Sequence, residues 1–170
     1  ALVRERTAEL ETANSRLEQE IKERRHAEEA LRESEQRLRT LIEVSPDAIL
    51  VSRDGRVVFV NETALELFGA MLEGQLLGKT PYDLVHPDYH DILTERRWQV
   101  AEMGISAPVI EQKIRRVDGS IVDVEVASAP FKDRGGAAIL SVFRDVTKRK
   151  QAEEEARRLS RKLQEAAKLE

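Results

Sequence analysis

The sequence predicts an α+β fold: a five-stranded antiparallel sheet with helices on one face, flanked by long N- and C-terminal coiled-coil helices. Three observations predict it. All eight Gly lie between Gly55 and Gly136, all five Pro between Pro46 and Pro130, and all seven aromatics between Phe59 and Phe143. The two ends, 1–43 and 148–170, hold 20 and 13 charged side chains and neither Gly nor Pro. Five short apolar or alternating runs lie between them. Breakers and aromatics mark turns and a packed core, whereas breaker-free stretches rich in Glu, Arg, Ala and Leu mark long exposed helices. The chain therefore divides into an N-terminal helix (1–43), a globular domain (44–147) and an exit helix (148–170).

Composition narrows the function. The 170 residues carry a net charge of −4, which gives no electrostatic case for nucleic acid. With no cysteine, disulfide frameworks, thiolate zinc sites, iron–sulfur clusters and thiol nucleophiles are excluded. No apolar run nears the roughly 20 residues that span a bilayer and no signal peptide is visible, so a cytoplasmic fragment without direct membrane contact is expected.

In the first helix Val3, Leu10 and Leu17 recur every seven residues, with Thr7, Asn14 and Ile21 four residues after each. That is a heptad seam, and a seam so narrow needs a second copy to cover it. Asn14 at an a position favours a parallel, in-register homodimer. The seam breaks near Arg24-Arg25 and resumes in a shifted register at Ala27, Leu31, Ser34, Leu38 and Leu41. The exit helix repeats the pattern at Ala152, Ala156, Leu159, Leu163 and Ala166. Its first turn holds Lys148-Arg149-Lys150, which opposes the helix dipole.

In the middle, two apolar runs at 48–52 and 57–60 flank Asp54-Gly55, a hairpin signal. Asn61 is placed to cap a short helix that Gly69 ends. Thr80-Pro81-Tyr82-Asp83 reads as a cap, a helix-starting proline and an acid that reaches back. Pro87 starts a longer helix through Met103, closed by Gly104. Strands are expected at 109–117, 120–129 and 137–146, the first pair joined by Asp118-Gly119 and the second by Gly135-Gly136. Val122, Val124 and Val126 alternate with Asp123 and Glu125, so one sheet face is wet. Ile139, Ser141 and Phe143 share the other face.

The segments "SPDAILVSRDGRVVFVNETALELFG", "VHPDYHDIL", "RRVDGSIVDVEVASAP" and "FRDVTKRKQAEEE", in this order, resemble a PAS domain over residues 35–150. The first helix resembles the coiled coil that precedes PAS domains in bacterial membrane-anchored sensor kinases. The closing "LSRKLQEAAKLE" resembles the start of the histidine-kinase dimerisation helix, although Leu169-Glu170 reads equally well as a cloning scar. The resemblance implies a sensory module of a two-component histidine kinase, with kinase domains downstream in cis and an unidentified small ligand. Its alternatives are a ligand-free dimerising connector and the same module on a cyclic-dinucleotide enzyme.

Candidate residues follow. Ser141 and Phe143 on the last strand, with Tyr82, Tyr89 and Trp98, are candidates to line a ligand pocket. Haem-binding PAS domains use a histidine on the helix that holds His90, which makes His90 a haem candidate, although the family position falls nearer Leu93. The cysteine of flavin-adduct PAS domains is missing, leaving only non-covalent flavin. No cofactor is required. His86 and His90 lack a third ligand for a metal, and His26 lies on the coiled coil. No paired carboxylates at catalytic spacing and no phosphate loop occur, so the fragment itself is not expected to be an enzyme. Asp145, Val146 and Thr147 join the last strand to the exit helix and are the expected coupling point. There Thr147 is expected to cap the helix, Asp145 to offset its positive start or accept backbone N–H groups, and the basic turn to keep that start marginal.

Overall fold

Asp54 and Gly55 both adopt positive φ, 50° and 77°. A two-residue turn of that hand matches the twist of the strands it joins, so the first hairpin closes here. The computed structural model describes residues 1–133 and 135–167 and separates into two units, Ala1–Ile42 and Glu43–Glu170.

The first unit is helical. Helix α1 runs unbroken over Leu2–Glu43, so the shift near Arg24-Arg25 is a change of register and not of helix. None of its residues is buried; Val3, Leu10, Leu17 and Ile21 are 52–79% exposed. That stripe is the seam drawn above, lying bare along the helix together with Asn14.

In the second unit β1 (Ala48–Arg53) and β2 (Arg56–Val60) form the hairpin. Helix α2 (Glu62–Phe68) follows and stops at Gly69, whose φ of 65° accommodates the left-handed end. Its cap, Asn61, is 1% exposed and works three ways. Its Oδ1 accepts the Ala64 N–H at 3.0 Å and the Ile49 N–H at 2.9 Å, while its Nδ2 donates to Asp47 O at 3.1 Å. One side chain thus starts α2 and ties it to β1.

After a 3₁₀ turn at Glu73–Gln75 comes the short α3 (Pro81–Leu84), where the Thr80 N–H donates to Asp83 Oδ2 at 2.8 Å. The helix expected from Pro87 instead begins as a 3₁₀ turn (Pro87–Tyr89), and α4 proper spans His90–Met103. Strands β3 (Ala107–Arg115), β4 (Ile121–Asp133) and β5 (Gly136–Asp145) precede α5 (Thr147–Ala167). The first of these strands starts two residues before the expected 109, and β4 runs well past the expected 129, because β4 keeps pairing with β5 as far as Asp133 opposite Gly136. Leu169-Glu170 lies outside the described residues.

The strand order is β2-β1-β5-β4-β3 with every neighbouring pair antiparallel, so β5, the last in sequence, is the middle strand. One face of the sheet is apolar: Leu50, Val57, Ile114, Val124, Val126 and Phe143 pack with Ala64, Leu67, Phe68, Leu76 and Leu84 from the connecting segments. Phe68 and Phe143 meet edge to face at 5.7 Å.

Candidate functional site: a small cavity and the strand-to-helix exit

The helix-covered face of the sheet is not completely filled. A cavity of about 30 Å³ remains between α3, α4 and strands β1, β3, β4 and β5. Leu93, Arg96, Arg97 and Val100 of α4 line it, at the i, i+3, i+4 and i+7 spacing that puts side chains on one helix face. From the sheet come Leu50, Gln112, Val126, Ser128, Ile139, Ser141 and Phe143. Gln112 faces inward because it sits between Ile110 and Ile114 in a period-two strand. Ser128 and Ser141 are directly opposite across β4 and β5, with their hydroxyl oxygens 2.9 Å apart.

The polar part of this wall is cationic. Arg96 is 8% exposed, and its Nη2 donates to Val126 O at 3.3 Å. Arg97 Nη1 donates to Ser52 Oγ at 3.2 Å. Burial pulls both guanidinium groups below their ordinary pKa, partly offset for Arg97 by the nearby Tyr82. Among the described residues neither has a carboxylate within ion-pair distance.

Of the pocket residues read from sequence, Ser141 and Phe143 line this cavity and the others do not. Tyr82 turns outward, its phenol 2.9 Å from Thr94 Oγ1. Trp98 is 57% exposed, because the inward face of α4 is taken by its neighbours Arg96, Arg97 and Val100. Tyr89 ends the 3₁₀ turn, away from the lining. His90 is also elsewhere: its Nε2–H donates to both Tyr82 O and Val85 O at 3.0 Å, and its ring stands edge-on to Tyr82. A histidine so engaged does not face the cavity. The space there is far below the roughly 300–1,000 Å³ of sites for larger ligands, so the residues present do not fit a haem or a flavin. No group of three metal-ligating side chains occurs among the described residues. Sequence reading missed Arg96, Arg97, Gln112 and Ser128. The signal was present for two of them, since Arg96 lies on the Leu93–Val100 face and Gln112 on the Ile110–Ile114 face.

The second feature is the exit from β5. Val146 is 2% exposed; its N–H donates to Asp123 O at 3.1 Å, and its carbonyl accepts the Lys150 N–H at 2.9 Å as the first bond of α5. Thr147 is therefore the first helical residue and not the cap. Its own N–H donates to Asp145 Oδ1 at 2.8 Å, so the carboxylate serves the helix start. The basic first turn also meets acids across the sheet. Arg149 lies 2.8 Å from Glu125 and 3.0 Å from Glu111, and Lys150 lies 2.8 Å from Glu111 and 3.2 Å from Asp123. These carboxylates belong to the wet face of β3 and β4, so the face that looked merely solvated anchors the exit helix. Lys148 makes no ion pair among the described residues. Farther back, Arg144 on β5 makes a two-pronged contact with Asp47, at 2.9 and 2.8 Å.

A five-stranded sheet roofed by short helices over a small cavity, with its middle strand passing directly into a helix, defines an α+β sensor-type domain. The family model described as PAS fold matches residues 36–146, and the chain belongs to that family. It is 33% identical over 135 residues to sporulation kinase A of Bacillus subtilis, covering 79% of this chain and 22% of that protein. It is 32% identical over 138 residues to the C4-dicarboxylate transport sensor protein DctS of Rhodobacter capsulatus, covering 79% and 21%. The chain thus spans about a fifth of the length of these relatives. Among solved structures, the PAS domain of an HTR-like protein from Haloarcula marismortui superposes with a TM-score of 0.58 at 30% identity, covering 71% of this chain and 98% of that one. The domain is homologous to PAS domains of sensor kinases, which supports a sensory role. No helix among the described residues is long and apolar enough to cross a membrane.

Proposed function

We propose that this chain is the sensing and relay module of a two-component sensor histidine kinase, cytoplasmic in its location. It pairs with a second copy through parallel α1 and α5 seams and passes its signal through Asp145-Val146-Thr147 to kinase domains downstream in cis. It is non-catalytic itself. The observation that carries this reading is continuity: β5 supplies Ser141 and Phe143 to the cavity wall, and the same strand ends at Asp145, two residues before α5. A change in the cavity that displaces β5 must therefore reach the helix start. The bare seams of α1 and α5, with Leu159 and Leu163 at 58% and 70% exposure, support pairing.

The test uses the parent protein with this module in place. Replacing Arg149 and Lys150 together by Ala, which releases the helix start, should change the rate of autophosphorylation or its response to stimulus. Unaltered output would defeat the relay. Sedimentation of the 170-residue chain should give a dimer at micromolar concentration, and a monomer there would defeat the pairing.

The small cavity supports a second reading, a ligand-free connector that only relays upstream signals. An absorption spectrum and mass spectrometry of material extracted from the purified protein decide between the two.

A further inference from the structure

Along α1 every seventh residue lies on one row: Val3, Leu10, Leu17, Arg24, Leu31 and Leu38. The row is apolar except at Arg24, and its leucines are 54–70% exposed. What changes along the helix is the side that accompanies this row. Upstream, the residues four further on are Thr7, Asn14 and Ile21, while those three further on include the charged Arg6 and Glu20. Downstream, the residues three further on are Ala27, Ser34 and Leu41, while those four further on include Glu28 and Glu35. An offset of four residues turns about 40° one way round a helix and an offset of three about 60° the other, so the middle of the stripe swings by about 50° near Arg24. The helix itself does not break there. Arg24 and Glu28, which would have carried the first stripe onward, meet each other instead at 2.9 Å on the surface, with side chains 80% and 63% exposed. α1 therefore presents two apolar faces end to end, out of phase by three residues.

We propose that α1 pairs with a second copy on both faces and that Arg24 marks a torsional joint between them: the two halves cannot both pack in a relaxed supercoil, so tightening one loosens the other. A phase shift of three residues overwinds a coiled coil locally, and that overwinding is the strain the halves share. A second copy is the occupant that the charges fit. In a parallel pair, a residue beside the seam meets the one five further on in the other chain. That sets Arg6 against the partner's Glu11 and Glu20 against the partner's Arg25, opposite charges both times. Asn14 fixes the alignment of the first half, while Leu31, Leu38 and Leu41 give the second the stronger apolar core. Twist applied at one end of α1 is thereby exchanged at Arg24 for looser or tighter packing at the other, and the second half leads directly into the domain. The inference rests on the proposed pairing and adds to it the place where twist is stored.

The test inserts alanines between Lys22 and Glu23 of the 170-residue chain. Four alanines bring the two stripes into one phase, whereas three double their offset. The two variants differ by one residue and not in charge, so helix propensity and length do not separate them. By sedimentation equilibrium, four alanines should lower the dissociation constant by about tenfold or more, since one further buried leucine is worth that much. Three alanines should raise it. Deletion of Lys22-Glu23-Arg24, which also restores one phase, should act like the four. The chain has no cysteine, so a single introduced one reports packing through its rate of disulfide formation. In the unmodified phase Asn14→Leu, which tightens the first half, should slow cross-linking of a Leu38→Cys chain. With four alanines inserted, the same change should leave that rate alone or quicken it. Equal dissociation constants for three and four alanines, or no effect of Asn14→Leu on the cross-linking, would overturn the joint while the pairing stands. A dimer that forms no disulfide through Leu17→Cys or Leu38→Cys would place the interface on another surface and overturn it as well. A monomer at micromolar concentration in every form would defeat the pairing itself, and the joint with it.

Discussion

Lys150, in the first turn of α5, places its ammonium 2.8 Å from a carboxylate oxygen of Glu111 on the edge strand β3. The helix that leaves the domain is therefore fastened to the strand farthest in the sheet from the first hairpin, and β4 supplies the rest of the clasp through Asp123 and Glu125.

Replacing Arg149 and Lys150 by Glu should free the start of α5 with little effect on the core. Exposed ion pairs contribute about 0.2–1 kcal/mol each, so global stability should fall only slightly. Hydrogen exchange should quicken at the amides of the first turn of α5 and stay unchanged at Leu50 and Val124. Equal acceleration at all of these positions would show that the clasp belongs to the core after all.

The clasp should be sensitive to acid. The hydrogen bond from Lys150 holds the Glu111 carboxyl below its ordinary 4.5, and the same contact raises Lys150. A lowered carboxylate contributes stability that is complete above its unfolded value and disappears as pH falls through the folded one; a raised amine contributes until pH climbs through its own folded value. The pairing should hold from mildly acid to alkaline solution and release below about pH 4.5. An NMR titration of the Glu111 side-chain carboxyl carbon checks this, with a midpoint at or above the ordinary value as the contrary result.

Asn61→Ala should be the most damaging single change outside the apolar core. It removes a helix cap and leaves the half-buried Ile49 N–H and Asp47 carbonyl without this partner, for a combined cost of about 2–4 kcal/mol. Urea unfolding should show a lower midpoint with an unchanged slope, and a loss under about 1 kcal/mol would contradict the triple role assigned to this side chain.

On α1, Asn14→Leu should tighten self-association of the chain and relax its register, since a polar residue at an a position trades stability for alignment. Sedimentation equilibrium should give a smaller dissociation constant than the unmodified protein, and a larger one would place Asn14 outside the seam.

Much of the domain was legible because local chemistry and long-range packing agree. The two-residue turn at Asp54-Gly55, the cap at Asn61, the stop at Gly69 and the reach-back of Asp83 each act over a few residues, and each is written in the residues concerned. The alternation of β4 likewise placed Val124 inward and Asp123 outward. Boundaries were less legible, because β4 ends where its partner β5 runs out and no residue at 129 marks that point. The site was hardest. Aromatic hydroxyls and histidines drew attention as ligand chemistry, yet Tyr82 and His90 satisfy each other's neighbourhood at the α3–α4 junction. Arg96 and Arg97 drew no attention at all, although helical spacing from Leu93 put Arg96 on the inward face. Nor does spacing along one segment show that Arg149 and Lys150 will find acids supplied by another hairpin.

The central position of β5 carries a mechanical consequence. Hydrogen-bond ladders grip it along both edges, to β1 as far as Phe143 and to β4 as far as Asp145. It cannot peel or lengthen without tearing two seams at once, so it behaves as a stiff spar. The grip does not end with the strand: the Val146 N–H still reaches Asp123 O of β4 while its carbonyl takes the first helical bond from Lys150, so spar and exit helix share one buried residue with no slack between them.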